Sequence, residues 1–95
     1  MPQAAYTLET AALRRILAKP DCRFRWTTHA LERMSERGIH PEDVKRALMN
    51  GQIIFHEVKE DILYRVDGKD LDGARLQVQI AIFEDIVTIK VITAF

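Results

Sequence analysis

The sequence predicts an α+β fold, with about three helices packed on one face of a twisted, mainly antiparallel sheet of about four strands. Three observations lead there. Apolar residues recur at helical spacing between cap residues through the first half of the chain. After Gly51 the period changes to alternation and β-branched residues take over. The joins between the alternating runs are mostly hairpin-short, which forces antiparallel neighbours. Ninety-five residues, 47% hydrophobic and 29% charged, suit one domain with a single modest core. That domain is expected to span 1–95, with an N-terminal helix and arm over 1–26 ahead of a core over 27–95.

Residues 1–5 are expected to be frayed. A first helix is predicted over 7–19, where Leu8, Ala11, Ala12, Ile16 and Leu17 share a face, Thr7 can cap, and Pro20 with Asp21 stops the run. Residues 22–26 then alternate basic with aromatic, Arg23, Phe24, Arg25, Trp26, which suits an extended arm or short strand. Either Phe24 and Trp26 cap the core while the arginines face water, or the interleaving grips single-stranded nucleic acid by charge and stacking.

The next stretch, T-T-H-A-L-E-R-M-S-E-R-G over 27–38, organises the rest. Thr27 or Thr28 can cap its N-terminus, Gly38 supplies a left-handed end, and Ala30, Leu31 and Met34 form an apolar stripe. His29, Arg33 and Arg37, at i, i+4 and i+8, line up beside that stripe, where cations keep their heads in water and can meet a shared anion. The alternative is an ordinary solvated flank, with Glu32 and Glu36 pairing the arginines and His29 only hydrogen-bonding its own first turn. A third helix follows at once. His40 caps it, Pro41 takes its first turn, Glu42 and Asp43 complement the dipole, Ile39 and Val44 are spaced as a staple, and Asn50-Gly51 closes it near Met49. Capping accounts for His40 without any chemistry.

Four strands are predicted, over 52–58, 62–66, 74–83 and 86 to about 93. Leu76, Val78, Ile80 and Ile82 point one way, as do Val87, Ile89 and Val91, and these pack against the helices. Arg75, Gln77, Gln79, Thr88 and Lys90 occupy the opposite face, joined by Arg65. Such a face suits RNA or another polyanion, and it is also how an antiparallel sheet stays soluble. Tyr64 alternates with Ile62 and Val66, on the core side. The turn D-G-K-D-L-D-G over 67–73 lacks the ligand spacing and closing glutamate of a calcium loop.

The run H-A-L-E-R-M-S-E-R-G-I-H-P-E-D-V, with N-G-Q-I-I from Asn50 and the closing V-I-T-A-F, resembles the bacterial family known as domain of unknown function 4258, over roughly residues 27–95. The resemblance implies a RelE-like fold, near the motility/quorum-sensing-regulator toxins of type II toxin-antitoxin pairs. It implies a metal-independent endoribonuclease, with RNA and a cognate antitoxin, of zinc-finger type in many such pairs, as partners. In that reading His29 is the acid or base, Arg33 and Arg37 hold the phosphate, and Tyr64 is a proton donor or stacking ring. Arg65, Arg75, Gln77 and Lys90 bind RNA. The competing class is a non-catalytic protein-interaction module with the same fold.

Composition narrows the field. Fourteen Lys and Arg balance fourteen Asp and Glu, so any nucleic-acid site must come from segregation of charge. Lone Cys22 and the irregularly spaced His29, His40 and His56 give no metal or cofactor site. No 18-residue apolar run or signal-peptide pattern is present, so a cytoplasmic protein without a membrane partner is expected. The border position of His29, Arg33 and Arg37 leads us to expect them near the mixed sheet face.

Overall fold

The computed structural model describes residues 6–83 and 88–95. The expectations for residues 1–5, for the hairpin join at Glu84 and Asp85, and for the inward placement of Val87 lie outside the described residues.

In chain order the elements are α1 (Thr7–Leu17), β1 (Arg23–Trp26), α2 (Thr28–Arg37), α3 (Pro41–Asn50), β2 (Gln52–Val58), β3 (Ile62–Lys69), β4 (Arg75–Phe83) and β5 (Thr88–Ala94). The fold is α+β, as predicted, with three helices. The sheet has five strands rather than about four, in the order β1-β5-β4-β3-β2. The added strand is the basic-aromatic stretch, which pairs parallel to β5, Phe24 beside Ile89 and Trp26 beside Val91. The remaining pairs are antiparallel, so the sheet is mixed.

The core lies between the helices and one sheet face. It gathers Leu13 and Ile16 of α1, Ala30 and Met34 of α2, and Val44, Ala47 and Leu48 of α3 over Ile53, Val66, Leu76, Val78, Ile80, Ile89, Val91 and Ala94. Phe24 and Trp26 pack against this core, so the core-capping alternative holds for their rings. Helix α2 packs on β5, α3 on β3 and β4, and α1 on β2 and α3.

Local chemistry fixes each helix. Thr27 caps α2 by accepting the Ala30 N–H at 3.0 Å, and its hydroxyl donates to the Ile92 carbonyl at 2.8 Å, which ties the helix start to β5. Gly38, at φ 64°, ends the helix, and the Ile39 N–H reaches back to the Met34 carbonyl at 2.8 Å, the six-to-one bond of a Schellman ending. Asp43 Oδ2 accepts the His40 N–H at 3.0 Å at the start of α3, and its other oxygen accepts the Leu71 N–H at 3.2 Å. Those two backbone donors hold the Asp43 carboxyl below its ordinary range.

Gly51 closes α3, as expected, in extended backbone, and glycine is needed there because a Cβ would stand 2.5 Å from the Ala47 carbonyl oxygen and 2.7 Å from that of Asp67. Asn50 pairs with β3: its side-chain amide donates to the Lys69 carbonyl and accepts the Lys69 N–H, both at 2.9 Å. One expectation changes on α1: Leu8 is 83% exposed, and the buried residues are Thr10, Leu13 and Ile16. Thr10 turns inward because its hydroxyl accepts the Ile53 N–H at 3.0 Å, where the β2–β3 register shifts.

Candidate nucleic-acid interface

Two sets of polar residues stand apart in this fold. The first is the rim of α2. His29 and Arg37 are exposed and Arg33 is half-buried, the pattern expected of a stripe border. Arg33 reaches Glu36 at 3.9 Å, a long (i, i+3) pair with both side chains well solvated, worth little energetically. Its buried Nε has no hydrogen-bond partner.

The second set lies on the sheet face turned away from the helices. Alternation across paired strands builds it in rows. Phe55 of β2 stands beside Arg65 of β3, Arg65 beside Gln79 of β4, and Gln79 beside Thr93 of β5. A second row runs from Glu57 through Leu63 and Ala81 to Lys90 and on to Arg25 of β1. Arg23 and Arg25, both exposed, extend this face at the β1 edge, because Phe24 and Trp26 take the core side. The predicted sheet residues Arg65, Gln77 and Lys90 are therefore on one face, and β1 adds two arginines to it.

Arg75 shares the face but is already engaged. Its Nε lies 2.8 Å from Asp67 Oδ1, and this hydrogen bond and charge raise the guanidinium pKa further. Asp67 was expected in a turn; it falls within β3, and so brings a carboxylate onto the face. Thr88 is buried and does not present itself to solvent. Arg65 is flanked by one ring from β2 and one from the residue that follows β5: its guanidinium carbon is 5.6 Å from the Phe55 centroid and 5.1 Å from that of Phe95.

The helix rim and the open face do not meet. His29, Arg33 and Arg37 belong to the layer above the sheet, whereas Arg65, Gln77 and Lys90 are below it, so the expected composite site is not formed. Tyr64 is on the helix side, packed against the core beside Ile80 and lining a cleft of about 670 Å³ with Glu9, Glu60 and Asp61. Three carboxylates around that cleft repel a phosphate backbone. The signal missed in sequence was β1: the alternation of Arg23 and Arg25 with aromatics was legible, but its parallel seat beside Lys90 was not.

Among the described residues no group of three or more His, Cys, Asp or Glu could hold a metal ion. The Asp70 carboxylate instead accepts the Asp72 and Ala74 N–H groups, each at 2.9 Å, and so organises the β3–β4 turn. Burial pushes the Cys22 thiol pKa up, with Asp21 adding to it, so this cysteine is not an activated thiolate. No helix among the described residues is long and apolar enough to cross a membrane.

The architecture is thus that of a small α+β protein with a helix-covered and an open, cation-bearing sheet face. Residues 26–95 match the family model described as Domain of unknown function (DUF4258), and the chain belongs to that family. No curated protein and no solved structure matches it.

Proposed function

We propose that this protein is the RNA-directed component of a type II toxin-antitoxin pair, with single-stranded RNA lying across the open sheet face. One observation carries the reading: in a chain with no net charge, Arg23, Arg25, Arg65 and Lys90 collect on one face that also carries Phe55 and Phe95. Cations for the backbone and rings for the bases are the two elements of single-strand binding.

Metal-independent cleavage is the finer form of this proposal. It needs a group to take the 2′-hydroxyl proton, a group to protonate the departing 5′-oxygen, and cations around the phosphorus. His29 supplies one proton-transfer group, and Arg33 with Arg37 supplies the cations. They lie on α2, so cleavage requires RNA to reach the helix rim as well as the sheet. Induction in a bacterial host tests it: wild type arrests growth, and His29→Ala relieves arrest without loss of folding. An unaffected culture, together with RNA left intact with and without ribosomes, removes the nuclease.

A second reading, a protein-interaction module, is favoured by the β2 edge of the sheet. Ile54, Phe55, Val58 and Ile62 are exposed there. At the other edge β1 is only four residues long and carries two arginines, a common way of blocking strand addition. An antitoxin segment added to β2 as a sixth strand would cover the apolar edge. Co-expression with the neighbouring gene product, followed by amide exchange on β2, tests it; unprotected β2 amides in the complex reject it.

A further inference from the structure

We infer that Arg65, held between Phe55 and Phe95, forms with Thr93 a phosphate-receiving subsite at the centre of the open face. This deepens the RNA reading and rests on it only for the source of the phosphate.

Two polar groups there are buried without a partner. Thr93 is 7% exposed and its hydroxyl has no hydrogen-bond partner, and the same is true of Arg65 Nε. A buried donor left unsatisfied is destabilising, so one such group needs explanation. Here two occur in one row of the sheet, Arg65 and Thr93 on either side of Gln79. Neighbouring backbones are roughly 4.8 Å apart, which puts the two backbones about 10 Å apart, a span that an arginine side chain and a phosphate can close.

The rings explain why Arg65 is held there while its Nε–H stays unused. An aromatic face attracts a cation electrostatically, yet satisfies an N–H donor far less well than an oxygen does. A clamped guanidinium has lost much of its rotamer freedom before any ligand arrives, and its planar fork matches a phosphate. Of the carboxylates near this face, Asp67 is taken by Arg75 at 2.8 Å and Glu57 by Lys59 at 3.7 Å, while Glu60 and Asp61 line a cleft with Lys90, one row away from Arg65. Among the described residues Arg65 makes no ion pair. Lys90 and Arg25, one row away, continue the positive strip for adjacent phosphates.

Titration of the ¹⁵N-labelled full chain with inorganic phosphate, and separately with a short uridine oligonucleotide, tests the site. Both ligands should shift the Arg65 Nε–H and the backbone amides of Gln79 and Thr93. Arg65→Gln should abolish the phosphate response and weaken the oligonucleotide about tenfold or more. Arg65→Lys, which keeps the charge and loses the fork, should recover only part. Phe55→Leu should weaken both ligands, the oligonucleotide more than inorganic phosphate, because it removes a stacking ring as well as one side of the clamp on Arg65. Thr93→Val should weaken both ligands several-fold while leaving the unfolding midpoint unchanged or raising it, because an unpaired hydroxyl is removed from a buried place; a purely structural Thr93 would leave affinity alone. Phosphate binding without oligonucleotide binding would overturn the RNA reading and keep the subsite. Oligonucleotide binding unaffected by Arg65→Gln would overturn the subsite and keep the RNA reading. Absence of both responses would overturn both.

Discussion

Gly68 of β3 lies directly against Ala47 of α3: a Cβ added to Gly68 would overlap the Ala47 carbonyl group and Cα. The obstacle is helix backbone, which cannot swing aside as a side-chain tip would. Gly68→Ala therefore has to lift α3 off the sheet, and overpacking of this kind costs about 1–3 kcal/mol. Urea unfolding reads it directly; a midpoint equal to wild type would mean that α3 does not sit this close.

Thr27 joins two elements with one side chain, accepting from Ala30 and donating to Ile92. Thr27→Ala should lose about 1–3 kcal/mol, from a missing cap and a missing inter-element hydrogen bond. Thr27→Ser keeps the hydroxyl and should recover most of it. Equal losses for the two variants would assign the effect to the methyl group instead.

Asp43 makes part of the stability pH-dependent. Its folded pKa is lowered by the His40 and Leu71 N–H groups, so the unfolded chain takes up the proton first as pH falls. The contribution is complete above the ordinary carboxylate range and disappears as pH falls through that range and then through the lower folded value. The gap in thermal midpoint between wild type and Asp43→Asn should therefore narrow between neutral pH and about pH 3. A gap that stays constant or widens on acidification would contradict the two hydrogen bonds.

Sequence made the helix ends legible wherever capping is local. The bonds of Thr27 to Ala30, of Gly38 to Met34 and of Asp43 to His40 each span three or four residues and belong to chemistry that can be read from the chain; those of Thr27 to Ile92 and of Asp43 to Leu71 do not. Thr10 could not be read this way, because its reason for being buried is the Ile53 N–H, forty-three positions on. Helical spacing with Ala11, Ala12, Ile16 and Leu17 places Leu8 on the inward face, and it is in fact solvent-exposed. The open face was legible by alternation in Arg65, Gln77 and Lys90. Its extension by Arg23 and Arg25 depends on the parallel β1–β5 pairing, a long-range event without a local signature. The separation of His29 from that face has the same origin: a helix rim can be assigned to a border, but the side of the sheet on which the helix settles is decided by packing.

Affinity for RNA resides in the open sheet face, the α2 rim adding little to ground-state binding, and fluorescence anisotropy with a labelled single-stranded RNA tests this. Wild type is compared with Arg25→Gln/Lys90→Gln and with Arg33→Gln/Arg37→Gln across a salt series. Each lost phosphate contact should lower the slope of log affinity against log salt by about 0.7. The face variant should lose about tenfold or more in affinity and roughly 1.4 in slope, while the rim variant stays within about twofold of wild type. Loss of binding in the rim variant, with the face variant unchanged, would contradict that assignment.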